Sequence, residues 1–106
     1  MKPTKRKALI SKGWKVGDTK DFLGLSDAEA ALVEVKLELA RSVRTLRRRK
    51  RLTQEDLADQ FGSSQSRVAK MEAADPSVSV DLLLRALFSL GVTPAGVAKI
   101  LAKKVA

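Results

Sequence analysis

The chain has 106 residues and a formal net charge of +9, with 44% hydrophobic residues and neither cysteine nor histidine. This length predicts one domain with a small core. The missing residue types exclude disulfides, thiolate metal sites and catalysis by cysteine or histidine, so we expect no enzyme, no metal and no cofactor. The strong positive charge favours a polyanionic partner, with nucleic acid first and an anionic membrane surface or an acidic protein as alternatives.

Residues 1–20 carry seven lysines and arginines and one acid, without a sustained apolar period. This composition predicts a flexible basic arm ahead of a domain at 21–106. Trp14 is the exception in the arm, because a lone tryptophan often docks on its own core or on a partner. We see no signal peptide and no apolar run of the ~20 residues that span a bilayer, which predicts a cytoplasmic protein.

Ser26 begins the sequence SDAE, in which Glu29 completes a capping box. The predicted helix contains no proline or glycine until well past Lys50, and its length leads us to expect a bend or break near Arg41–Ser42. Its apolar face is wide. It could pack on the last helices of the same chain or on a helix of a second copy. The apolar stripe comprises Leu25, Ala28, Leu32, Val35, Leu39, Val43 and Leu46.

Residues 41–51, RSVRTLRRRKR, hold seven cations and no acid. Cations that complement the dipole of a helix C-terminus account for one or two of them. The remainder repel one another, so an anionic partner explains this run better than a solvated face does.

Residues 53–74 predict two short helices joined by a tight turn. Thr53 is a hydroxyl N-cap, Gly62 ends the first helix, and the serines that follow it can cap the second. Val68 and Met71 lie on the inner face of the second helix. Its outer face is polar and lacks acids, which suits insertion in a major groove, although an ordinary helical hairpin with a solvated face is the alternative. That outer face comprises Ser64, Gln65, Ser66, Arg67 and Lys70.

Two further helices are predicted after Pro76. The first is capped by Ser77 or Ser79, is the most apolar element, and ends at Gly91. The second begins at Thr93-Pro94, with threonine as N-cap and proline in the first helical position.

The chain resembles the XRE (Cro/CI-type) helix-turn-helix family over residues 40–92. The resemblance implies an all-α, five-helix, lambda-repressor-like domain, here with a long first helix. It also implies that Arg47 and Gln54 occupy phosphate-contacting positions. The chain departs from the family at Arg51, where glycine is usual between the first two helices. The resemblance rests on Leu46, Leu52-Thr53-Gln54-Glu55, Leu57-Ala58, Phe61-Gly62, Ser64-Gln65-Ser66-Arg67-Val68 and Met71-Glu72.

Together these observations predict a double-stranded DNA site with two kinds of contact. The outer face of the second short helix would contact base edges. Gln65 suits adenine, and Arg67 suits guanine or, alternatively, a phosphate. Phosphate contacts are expected from Arg44, Arg47, Arg48, Lys50, Gln54 and Ser63.

Residues 21–101 are also similar to HigA-type antitoxins. That similarity implies a repressor of its own operon that neutralises a HigB/RelE-like ribonuclease toxin. Trp14, Phe22 and Leu23 would then bind the partner. One such domain reads few base pairs, so we expect a homodimer on two half-sites. The alternatives are a stand-alone phage-type XRE repressor and a nonspecific basic nucleic-acid-binding protein, and we expect no membrane binding.

Overall fold

The computed structural model describes residues 26–105, and every regular element in that range is an α-helix. The predicted all-α class is therefore confirmed. The predicted arm, with Trp14, Phe22 and Leu23, lies outside the described residues. The helices are α1 (Asp27–Arg49), α2 (Gln54–Gln60), α3 (Gln65–Glu72), α4 (Val80–Ser89) and α5 (Pro94–Val105).

The long helix α1 begins in the predicted capping box. The Glu29 amide donates to Ser26 Oγ at 3.1 Å, and the Ser26 amide donates to the Glu29 carboxylate at 3.0 Å. The backbone hydrogen bond from Ser26 lowers the pKa of Glu29. The helix then continues without interruption to Arg49, so a break near Arg41–Ser42 does not occur. A charge change on the outer face leaves the backbone hydrogen bonds intact, which explains the difference.

The core lies where the second half of α1 packs against α3, α4 and α5. Leu39, Ala40 and Val43 are buried there, so this part of the wide apolar face is covered by the same chain. Leu32 differs from the prediction, because it is 51% exposed. The side chains that fill the core from the other helices and their connections are Leu57, Ala58, Val68, Met71, Val78, Leu83, Ala86, Leu87 and Leu90.

The first four helices end in one motif. The residue after the C-cap has positive φ, and the next amide donates to the carbonyl five residues before it. Gly62 (φ 69°) and Gly91 (φ 94°) take this position in α2 and α4, as predicted. Arg51 (φ 59°) and Ala74 (φ 54°) take it in α1 and α3. Glycine enters this region without penalty, whereas other residues are strained there by about 1–2 kcal/mol. In the connection after α1, Arg51 therefore adopts the positive φ that glycine usually adopts at this position.

Serine and threonine side chains fix the starts of the later helices. Ser64 accepts from the Arg67 amide, and Ser79 rather than Ser77 accepts from the Leu82 amide. Thr93 Oγ1 accepts from the Gly96 amide at 3.0 Å. No single helix in the described range is long and apolar enough to cross a membrane. Only α4 and α5 up to Ala102, taken together across a 118° bend, meet that test of length and composition.

Candidate nucleic-acid interface

The α2–α3 hairpin presents one helix face to solvent and buries the other. Thr53 and Asp56 form a second capping box, with the two hydrogen bonds at 2.9 and 3.0 Å. The turn closes with the Ser63 amide donating to the Ala58 carbonyl at 2.8 Å. Val68 and Met71 are fully buried. The exposed side chains of α3 and its cap are the five polar residues of the predicted base-reading face, Ser64, Gln65, Ser66, Arg67 and Lys70.

A pair of glutamines links the start of α2 to the start of α3. Gln65 Nε2 donates to Gln54 Oε1 at 2.6 Å, although the two residues lie eleven positions apart. Gln54 in turn donates from Nε2 to Glu72 Oε1 at 3.2 Å. The Gln65 amide keeps its carbonyl oxygen and one N–H free. Gln65 therefore retains the donor and acceptor that a bidentate contact with adenine needs.

Arg47 lies behind this pair, in a buried ion pair with Glu72. Its Nε donates to Glu72 Oε2, and its Nη2 donates to Glu72 Oε1 at 3.0 Å. Its Nη1 donates to the Leu52 carbonyl at 2.7 Å. The hydrogen bonds to Glu72 raise the pKa of Arg47. The residue is only 9% exposed, and three of its five N–H groups donate within the domain. Its predicted contact with a phosphate stays a prediction that rests on the remaining two N–H groups.

Arg44 and Arg48 have the opposite environment. Both are exposed, and neither makes a side-chain hydrogen bond or ion pair within residues 26–105. They line one groove with Gln54 of α2 and with Ala69 on α3. Arg47 and Glu72 line the same groove, so the structure brings four of the six predicted phosphate ligands to one edge of the hairpin.

Two predicted phosphate ligands lie elsewhere. The Lys50 ammonium is 3.6 Å from the position that a Cβ on Gly91 would take, so it lies at the C-terminal end of α4. Ser63 Oγ is buried without a hydrogen-bond partner in the described residues, and its amide is used in the turn. In this conformation Ser63 offers no surface donor, which corrects its assignment.

The base-reading face itself divides into two parts. Gln65 lies beside Thr53 and Gln54 in a cleft at the start of α2. The other four residues, Ser64, Ser66, Arg67 and Lys70, line a second cleft that α4 and the segment before it close on the far side. Asp81 and Arg85 of α4 also line this cleft and pair with each other at 3.6 Å.

Sequence reasoning did not assign a role to Glu72. The available signal was that Glu72 is the one acid in α3, on a helix whose other charged residues are Arg67 and Lys70. A lone carboxylate at the inner edge of such a helix would need a cation from another element. The sequence offered seven candidate cations at 41–51, and nothing in their spacing identified Arg47 as the partner.

Comparison with known families gives one match, to a family described as a helix-turn-helix domain, over residues 38–100. The match spans more than half of the chain and includes α2 to α4 entirely, together with most of α5. It leaves the first turns of α1 outside. Comparisons with curated proteins and with solved structures give no significant match.

Proposed function

The chain belongs to the helix-turn-helix domain family, and from that premise we propose that it is a sequence-specific transcriptional repressor. In this proposal α3 enters the major groove of double-stranded DNA. The supporting observation is the hydrogen bond that fixes Gln65 against Gln54, on α3, whose own exposed side chains include no acid. Ser64, Ser66, Arg67 and Lys70 face base edges beside Gln65.

Arg44, Arg48 and Gln54 position the domain on the phosphates at one edge of α3. Their shared groove and the two unpaired guanidinium groups support this role. Arg47 acts indirectly, because it holds Glu72, which accepts from Gln54. Contacts of this kind set affinity and register without reading sequence.

A footprint upstream of the protein's own gene tests the repressor proposal. It is performed at near-physiological salt with scrambled duplex as competitor. Two protected half-sites one helical turn apart are expected. Uniform protection would leave a nonspecific basic nucleic-acid-binding protein, and no protection would overturn DNA binding at this locus.

We propose a homodimer, since two copies double the number of base pairs read. Phe88, which is 46% exposed on α4, and Leu32 on α1 are the large exposed apolar side chains in the described residues that support this. Light scattering on the free protein and on its DNA complex tests it. A monomer under both conditions would contradict the dimer.

We further propose that the protein is a HigA-like antitoxin for a HigB/RelE-like toxin. Its support is the sequence of residues 21–101 and the first turns of α1, which precede the matched domain. Co-purification with the product of the neighbouring gene is expected. If that gene encodes no ribonuclease, a stand-alone phage-type repressor replaces this proposal. Deletion of residues 1–24 without loss of toxin binding would contradict the placement on Trp14, Phe22 and Leu23.

A further inference from the structure

Arg51 occupies a backbone position for which arginine is poorly suited. It follows the C-cap of α1 with φ 59°. Its amide donates to the Arg48 carbonyl, and the next amide, of Leu52, donates to the Arg47 carbonyl. Glycine is the residue that this pattern favours, because a Cβ is strained at positive φ. The arginine is therefore held against a backbone preference.

The Arg51 side chain has no polar partner in the fold that the described residues show. It is exposed, and within the described part of the chain it makes no hydrogen bond or ion pair. Its neighbour Lys50 differs, because that ammonium lies near Gly91 at the end of α4. A residue with a strained backbone and an exposed side chain without a polar partner in the described residues is a candidate for function.

The position of Arg51 in the connection between α1 and α2 indicates what that function is. The carbonyl of the next residue, Leu52, accepts from Arg47 at 2.7 Å, and Arg47 holds Glu72. Glu72 accepts from Gln54, which accepts from Gln65. The connection that carries Arg51 is thus directly bonded to the network behind the proposed DNA surface.

We propose that Arg51 is a further phosphate-binding residue, at the C-terminal end of the helix that carries Arg44 and Arg48. This inference rests on the proposed function and adds a contact to it. A guanidinium is always charged and can bind a phosphate with two donors, so it supplies binding free energy to DNA that glycine lacks.

Ala74 provides a matched control for the test. It has φ 54° at the same position of the same motif, at the end of α3, and carries no charge. Arg51→Gly and Ala74→Gly both remove a strained Cβ, so Arg51→Gly should keep or raise the Tm. Ala74→Gly also removes a side chain that packs against the core, which offsets part of this gain. Only Arg51→Gly removes a cation, and Arg51→Lys retains it.

The experiment measures affinity for the footprinted operator and for scrambled duplex at several salt concentrations, together with Tm. For Arg51→Gly we expect weaker binding to both duplexes. The slope of log K against log salt should also be smaller by about 0.9, as for the loss of one phosphate contact. Ala74→Gly and Arg51→Lys should keep the wild-type slope.

A wild-type slope for Arg51→Gly would overturn the contact while leaving the proposed function in place. An equal loss of affinity in Ala74→Gly would overturn it as well, because the effect would then belong to the backbone. Salt-insensitive or absent binding by the wild-type protein would instead overturn the proposed function itself.

Discussion

Arg47 differs in role from Arg44 and Arg48, although all three lie close together on α1. Arg47 is buried against Glu72 and the Leu52 carbonyl, whereas Arg44 and Arg48 are exposed and unpaired within the described residues. The difference lies in the partners, because the Arg47 side chain reaches the Glu72 carboxylate of α3, whereas Arg44 and Arg48 line the adjoining groove at the surface. A run of cations of one composition therefore divides into a buried, paired arginine and two exposed arginines without a partner in the described residues.

Replacing Arg47 should have the largest effect on stability of all the substitutions that test this difference. Arg47→Met leaves the Glu72 carboxylate buried without its cation, which should lower the free energy of unfolding by about 3 kcal/mol. Urea unfolding measures it. Arg44→Met is the control and should stay within about 0.5 kcal/mol of wild type.

The double variant Arg47→Met/Glu72→Leu sharpens the result. It removes both charges, so most of the lost stability should return. Equal small losses for Arg47→Met and Arg44→Met would mean that the Arg47–Glu72 pair behaves as a surface ion pair, contrary to the structure.

Gln65→Ala should change recognition rather than folding. The exposed glutamine carries the proposed base contact, so the variant should lose roughly 1–3 kcal/mol of discrimination at one base pair. Binding to single-substitution operator duplexes measures this. Gln54→Ala, which frees the Gln65 side chain, should weaken discrimination at the same position. An unchanged sequence preference in both variants would refute the docking of α3.

Arg44→Ala and Arg48→Ala should each weaken binding to all duplexes alike. One lost phosphate contact reduces the salt slope by about 0.9, and stability should not change because neither guanidinium has a partner in the described residues. Titrations at several salt concentrations check this. A loss confined to the operator sequence would place the variant residue on a base instead.

Glu34 is a buried charged residue that, unlike Arg47, lacks an ion pair within residues 26–105. It is 5% exposed. Burial, and secondarily Glu38, raise its pKa. The folded state then holds the proton more tightly than the unfolded state. Stability should fall as the pH rises from the ordinary glutamate pKa through the folded pKa.

Glu34→Gln should therefore be slightly more stable than wild type at pH 7, and the gain should shrink as the pH falls below that window. Thermal unfolding at pH 7 and pH 4 measures the difference. This is the smallest effect of the series. A loss of stability at pH 7 would mean that the Glu34 charge is stabilising.

The helix boundaries were predictable because their signals are local. Ser26, Thr53, Gly62 and Gly91 act through hydrogen bonds or backbone angles within a few residues. The helical face that carries Gln65 followed in the same way from period alone.

The partners of side chains were not predictable, because they depend on how helices are packed. Arg47 and Glu72 are 25 residues apart, and their pairing follows from the contact of α1 with α3. Leu32 fits the apolar period of α1 but lies beyond the region that the other described helices cover. Periodicity defines a face, but it does not say how far along the helix that face is covered.

The glutamine bridge has a thermodynamic consequence. Free glutamine side chains sample many rotamers, and ordering them on a ligand lowers the binding entropy. Here Gln65 is fixed on Gln54, which is fixed on Glu72 and so on Arg47, before any DNA is present. That entropy is lost when the chain folds. In the proposed complex, Gln65 would therefore meet the duplex already ordered, with its rotamer supported by the Arg47–Glu72 ion pair.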